Sequence, residues 1–225
     1  MKHHAIAIDG PSGAGKSTMA KAAAKELGYL YVDTGAIYRA IGLKFVRTGM
    51  EFTDENIISV LPGTELSLTH VGGEQHVIID GEDVSSLIRT QQISAAASRV
   101  SAVPEVRSFL LDLQRDIAKK NDVIMDGRDV GTVILPNADV KIFLTAGIEI
   151  RAQRRHRELM AKGLETPETF ERVLEEVKAR DKADSERAAA PLKRAEDAVL
   201  VDTSDMDFEK SVETVINVIR SKVNV

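Results

Sequence analysis

The stretch Ala5–Thr18, reading AIAIDGPSGAGKST, constrains the chain more than any other. Ile6 and Ile8, set among alanines, make a short apolar run of the kind a fully buried strand needs. Gly10 to Ser17 follow at once and match the phosphate-binding loop pattern G-x-x-x-x-G-K-[ST] without a gap. Met19–Leu27 is rich in Ala and Lys and predicts a helix, with Gly28 as its stop signal. Strand, glycine-rich loop and helix therefore come in the order that a phosphate site requires. The glycines let backbone N–H groups turn inward on an anion, and the helix N-terminus adds partial positive charge. Gly10, Pro11, Ser12, Gly13, Ala14, Gly15, Lys16, Ser17 and Thr18 are the candidate residues for a nucleoside triphosphate. In this pattern Lys16 reaches the β- and γ-phosphates and the Ser17 hydroxyl takes a place on Mg²⁺. The competing reading, a strand-to-helix turn that binds nothing, has to explain away the full motif in its full context.

Composition narrows the classes that can use such a site. The chain has 225 residues, 43% of them hydrophobic, enough for one sizeable α/β domain with a core that needs no metal or disulfide support. It contains no Cys, which excludes a disulfide framework, a thiolate zinc site and a Cys nucleophile together, and suits a reducing cytoplasm. The first residues run straight into the first strand, so no signal peptide is expected, and no apolar run approaches the length of a membrane span. A net charge of −5 argues against a general nucleic-acid binder, and the absence of Trp argues against a base-stacking platform. The expectation is a cytoplasmic monomer acting on small molecules.

Hydrophobic patterning gives the rest of the order. Tyr29–Val32 reads as a second strand ending at Asp33, and Thr34 is a candidate N-cap for a helix running to about Gly49. Thr53-Asp54 opens a short helix. Pro62–Val84 alternates polar and apolar residues around Gly72-Gly73 and predicts a small antiparallel sheet inserted into the α/β chain. Helices are expected over Thr90–Val103 and from Pro104 to about Lys120, then strands at Asp122–Asp126 and Val140–Leu144. A basic helix, Gly147–Lys162, closes at Gly163, and Thr166-Pro167-Glu168 starts another that continues to about Arg187. Ala198–Val201 is the last strand. Phe208–Val223 is an amphipathic helix with Val212, Val215, Ile216, Ile219 and Val223 on one face. Alternating strands and helices predict a parallel sheet covered on both faces.

Two constellations carry chemistry. Asp126-Gly127-Arg128-Asp129 lies just beyond a buried strand, where ligands of open α/β sheets collect, and Asp126 is the natural second partner for Mg²⁺. The alternative for Asp126 is a turn or helix cap. The second constellation is the arginines. Arg39, Arg107, Arg128, Arg151, Arg154, Arg155, Arg157, Arg180 and Arg187 lie where they could converge on the loop's phosphates, as planar forks that bind phosphate oxygens bidentately. The four within 151–157 repel one another unless an anion resolves them, as in a lid closing over ATP. Arg180, Asp184 and Arg187 share one helix face and read either as a surface ion-pair ladder or as a grip on a sugar and a phosphate. The histidines show no ligand spacing and receive no role.

A guanine-binding switch would need Asp-x-x-Gly and Asn/Thr-Lys-x-Asp, and the chain has neither. It is also too short for a motor, which leaves a small-molecule kinase or, outside enzymes, an ATP-gated binding module. Spacing alone leaves the acceptor open among CMP, UMP, AMP and shikimate. The segments GPSGAGKST, DTGAIYR (Asp33–Arg39), IIDGEDV (Ile78–Val84), IRT (Ile88–Thr90), DGRDVGTVILP (Asp126–Pro136), KIFL (Lys141–Leu144), ARD (Ala179–Asp181) and RAAAPL (Arg187–Leu192) together resemble the bacterial cytidylate kinases, in that family's order and from end to end. The resemblance implies a three-layer P-loop kinase fold with a parallel five-stranded sheet, an inserted small antiparallel sheet and a short helical lid. It implies a core at 1–33, 101–150 and 165–225, a monophosphate-binding insertion at about 34–100 and a lid at about 151–164. It further implies transfer of the ATP γ-phosphoryl group to CMP and dCMP with Mg²⁺. Thr34, Arg107 and Asp129 resemble the base-reading set; Ser98, Arg180 and Asp184 the sugar contacts; Arg39, Arg128 and Arg187 the clamps on the phosphates, with Tyr38 beside them. Arg154 resembles a lid contact to ATP, Lys16, Arg128 and Arg187 the catalytic cations, and Ser17 with Asp126 the metal partners. Replacing Lys16 with Ala should cut turnover by orders of magnitude while the chain stays folded; near-normal kcat in that variant, measured by coupled ADP release, would refute the assignment.

Overall fold

In the computed structural model, which describes residues 3–161, 163–166 and 169–223, Ile6, Ala7 and Ile8 have no exposed surface at all. They form the centre of β1 (Ala5–Asp9), and β1 is the middle strand of a five-stranded sheet ordered β2-β6-β1-β7-β8. The partners are β2 (Leu30–Asp33), β6 (Val123–Gly127), β7 (Val140–Thr145) and β8 (Val199–Asp202), and every pairing is parallel. Parallel strands need crossovers that cover both faces, which is why these strands read as apolar runs rather than alternations. On one face Ile6, Ile8, Ile124 and Ile142 pack with α1 (Lys16–Leu27) and α8 (Phe208–Arg220). On the other, Ala7, Val32, Val123 and Met125 pack with α2 (Thr34–Thr48) and α5 (Pro104–Lys120).

The expected small sheet is present: β3 (Leu66–Val71), β4 (Glu74–Ile79) and β5 (Glu82–Asp83), antiparallel throughout. It docks on the outer edge of β2. Gln75 is buried there, its Oε1 accepting from the Asp33 N–H at 2.7 Å, and His70 Nε2 lies 2.9 Å from the Tyr31 carbonyl. Two further helices complete this region, α3 (Asp54–Ser59) and α4 (Gln91–Val100). α2 crosses α4 at Gly42, where an added Cβ would lie 3.1 Å from the Ala97 nitrogen, so the two backbones meet with nothing larger than the Ala96 methyl beside the contact. The basic helix is α6 (Ile148–Ala161), followed by α7 (Phe170–Glu186).

Three local expectations change. The N-cap of α2 is Asp33, whose side chain accepts from the Ala36 N–H at 2.9 Å; Thr34 is already helical, and its hydroxyl donates to the Asp126 carbonyl. α7 begins at Phe170 rather than after Thr166, and Pro167 and Glu168, like Lys162, lie outside the described residues. Val130–Ile134 forms a single wide π-helical turn that no apolar period announced; Asp9 anchors its start by accepting from the Val130 and Gly131 N–H groups at 2.8 and 2.7 Å.

The register brings Asp33 beside Asp126 and Asp9 beside Gly127, so the carboxyl ends of three adjacent strands reach one level. The phosphate loop leaves β1 at that level. Gly10, with φ 152°, presses so closely on β7 that a Cβ would fall 1.9 Å from the Leu144 carbonyl oxygen. Gly10→Ala should therefore destabilise the protein by about 3 kcal/mol or more, read from urea unfolding; a loss comparable to an ordinary surface substitution would contradict this packing.

Candidate active site

The carboxyl ends of the strands floor a cleft of about 1400 Å³, walled by α6 and α7 on one side and by α2 and α4 on the other. The phosphate loop forms its base. Gly13 (φ 74°) and Gly15 (φ 89°) hold backbone that L-residues rarely adopt, and no side chain caps the start of α1, so its first N–H groups face the cleft. Lys16 is buried with Nζ donating to the Pro11 carbonyl at 2.8 Å. Burial, then the Arg128 charge, holds its ammonium well below the ordinary lysine range. Ser12 to Thr18 line the cleft, whereas Gly10 and Pro11 support it from behind.

Ser17 and Asp126 meet directly, the Ser17 hydroxyl donating to Asp126 Oδ2 at 2.8 Å while the Tyr31 hydroxyl donates to Oδ1 at 2.7 Å. Asp126 is thus neither a helix cap nor a turn cap. Burial and the neighbouring Asp33 push its carboxyl up to about 6. This pair of hard oxygen donors, one a carboxylate with too little counter-charge, fits Mg²⁺. Among the described residues no group of three or more His, Asp or Glu is assembled to hold a metal, so phosphate and water oxygens would supply the remaining ligands.

The arginines divide into two groups. Arg39, Arg107, Arg128, Arg180 and Arg187 do converge on the cleft, and most rest on carboxylates there. Arg39 Nη2 donates to Asp33 Oδ2 at 2.6 Å, Arg128 Nε to Asp184 Oδ2 at 2.7 Å, and Arg187 Nη2 to Asp129 Oδ1 at 3.4 Å. Arg107 closes on the other Asp129 oxygen, both residues being buried, and its guanidinium lies 5.4 Å from the Tyr38 ring centroid. Burial pushes the Tyr38 hydroxyl up to about 12, so it stays protonated. Asp184 is buried, and although burial raises its carboxyl, Arg128, Arg180 and Arg187 together keep it below the ordinary range, which settles the question left by spacing: it is no surface ladder. Arg180 Nε is buried without a partner, and burial and Arg128 draw its guanidinium down to about 10. Ser98 lines the same wall from α4, and Thr34 closes the slot beside Asp129.

The arginines of α6 behave differently from one another. Arg154 reaches the loop after β8, donating to the Thr203 hydroxyl at 3.1 Å and its carbonyl at 2.8 Å. Arg155 pairs with Glu158 at 3.0 Å on its own helix, and the exposed Arg157 lines the cleft mouth. Arg151 does not line the cleft; Asp181 and two backbone carbonyls hold its charge, so no anion is needed to resolve it. Sequence reasoning missed Asp9, Tyr31, Asp33, Arg89 and Thr203 as parts of the site or its support. A carboxylate at the end of an apolar strand was the available signal for Asp9 and Asp33.

A sequence model described as Cytidylate kinase matches residues 6–221. The chain belongs to the cytidylate kinase family. Curated cytidylate kinases from Caldanaerobacter subterraneus (52% identical, 96% of this chain and 94% of that protein) and Carboxydothermus hydrogenoformans (48%, 98% and 99%) align over nearly their whole lengths. Among solved structures, an uncharacterized protein from Eubacterium ventriosum is similar in fold alone, with a TM-score of 0.50 at 13% identity over 97% of this chain and 99% of that chain. Membership of the cytidylate kinase family accords with a phosphate loop, a cation-lined cleft and an inserted sheet in one chain.

Asp9 supplies a test of the site's electrostatics. Burial outweighs its two amide donors and raises its carboxyl from 3.8 to about 6. The folded protein therefore holds this proton more tightly than the unfolded chain, and the resulting stabilisation is complete below pH ~4 and lost as the pH rises through ~6. Asp9→Asn, which cannot titrate, should gain on the wild type by on the order of 2 kcal/mol between pH 4 and 7. Urea unfolding at both pH values checks this, and a constant difference between the proteins would contradict it.

Proposed function

We propose that the chain transfers the γ-phosphoryl group of ATP to CMP or dCMP, giving CDP or dCDP. The observation that carries this reading is the buried Thr34–Arg107–Asp129 slot opening into the same cleft as the phosphate loop. The Thr34 hydroxyl has its proton committed to the Asp126 carbonyl, so its oxygen faces a ligand as an acceptor. With the Asp129 carboxylate it offers two acceptors to the cytosine amino group, and Arg107 offers donors to the ring's acceptor edge. Uracil would set a carbonyl against those acceptors and leave buried polar groups unmatched.

The phosphate loop and Lys16 hold the donor phosphates, with Arg154 reaching over from α6 toward the Thr203 loop. Arg39, Arg128 and Arg187 hold the acceptor phosphate, and Ser98, Arg180 and Asp184 hold the sugar. Ser17 and Asp126 would hold Mg²⁺, which would neutralise charge on the donor phosphates. The acceptor oxygen is already ionised and attacks the γ-phosphorus in line as the bond to the β,γ-bridging oxygen breaks and ADP leaves, so no general base is needed. Lys16, Arg128 and Arg187 neutralise charge as it develops on the transferring group. In this reading residues about 34–100 carry the acceptor and about 151–164 close over ATP, on a core made of the remainder.

A panel of acceptors (CMP, dCMP, UMP, AMP and shikimate) in a coupled ADP assay tests the assignment. Transfer to the cytidine nucleotides should predominate, and transfer to none would favour an ATP-gated binding module. Asp129→Ala should narrow the ratio of kcat/KM for CMP over UMP by about 100-fold while ATP binding changes little; an unchanged ratio would remove Asp129 from base recognition.

A further inference from the structure

Arg151 begins in the first turn of α6 and is buried, at 6% exposure, outside the cleft lining. Its Nε donates to the Ala146 carbonyl at 2.8 Å, and its Nη1 donates to the Ser12 carbonyl at 3.0 Å and to Asp181 Oδ2 at 2.6 Å. Those three oxygens belong to different parts of the machinery. Ser12 lies in the phosphate loop, Ala146 is the first residue after β7, and Asp181 lies in α7 beside Arg180 and three residues before Asp184. The loop and α6 also touch directly, since a Cβ on Gly13 would lie 2.9 Å from the Arg151 carbonyl oxygen. The remaining oxygen of Asp181, Oδ1, is buried with no hydrogen-bond partner, so Arg151 accounts for the orientation of that carboxylate.

In-line transfer requires donor and acceptor to be aligned within a fraction of an ångström, and an error of about 1 Å can cost 10²-fold in rate. The loop that holds the donor and the helix that grips the acceptor's sugar are remote in sequence, and Arg151 bonds to both. A desolvated guanidinium holding a carboxylate and two carbonyls keeps a fixed geometry, unlike a solvated surface pair. We infer that Arg151 and Asp181 are a positioning pair, which keeps the phosphate loop in register with Arg180 and Asp184 without touching either nucleotide. This inference rests on the proposed placement of the donor on the loop and of the acceptor's sugar on α7.

The test compares wild type, Asp181→Asn and Arg151→Lys. Binding of a non-hydrolysable ATP analogue and of CMP is measured by calorimetry, and the transfer rate by rapid quench in a single turnover, normalised to nucleotide-binding sites. Both variants should bind each nucleotide within about threefold of wild type and transfer about 10- to 100-fold more slowly. Arg151→Lys keeps the charge opposite Asp181 but cannot reach all three oxygens, so it carries the comparison should Asp181→Asn fail to fold. A lowered melting temperature with an unchanged transfer rate per binding site would overturn the inference, since that is what a purely structural pair gives. So would a loss of affinity for one nucleotide that accounts for the whole effect. Failure of the wild type to bind the analogue and CMP would instead overturn the reading of the site itself.

Discussion

Repulsion between like charges governs the cleft. Arginines from α2, α5, α7 and the loops around them crowd one cavity, and the fold holds them there by giving most of them a carboxylate: Asp33 for Arg39, Asp129 for Arg107 and Arg187, Asp184 for Arg128. Two of these acids sit at or just beyond strand ends and the third on α7, so sheet register and helix packing decide which cation each one meets. A buried ion pair is a weak source of net stability, yet breaking it from one side is costly, because the survivor is left as an uncompensated charge. The network therefore specifies geometry more than it stabilises the fold. On the proposed reading, phosphates entering the cleft meet guanidinium groups already in place, with little reorganisation.

Legibility in the sequence follows the range of the interaction concerned. The phosphate loop, the strand–helix alternation and the inserted sheet depend on local signals (glycines, apolar periods, turns), and each lies where the sequence places it. The N-cap of α2 was misplaced by one residue because Thr34 is an equally good cap by type. What decides is that its hydroxyl is taken by Asp126, a contact across 92 residues of chain. The start of α7 fell later for a related reason: a capping pattern says where a helix can begin, not where packing lets it begin.

Charges were counted correctly and aimed less well. Arg151, Arg154, Arg155 and Arg157 look equivalent on paper, yet one is buried against α7, one reaches the loop after β8, and Arg155 pairs along its own helix. Asp9 was invisible as a functional support because it reads as the end of an apolar strand, and its partners are two amides from the far side of β6. The convergence of the remaining arginines was accessible through family resemblance, since spacing alone left Arg180, Asp184 and Arg187 open to a surface reading that the burial of Asp184 removes.

The backbone-to-backbone crossing at Gly42 has a consequence for selectivity. Tyr38 and Arg39 ride on one of the crossing helices and Ser98 on the other, and the only side-chain atom against Gly42 at the crossing point is the Ala96 methyl, which cannot swing aside. The two helices therefore behave as a single plate. A wall of this kind can tilt toward or away from the glycine turn as a unit, while the gauge between its own contact points stays constant whatever lies beneath it.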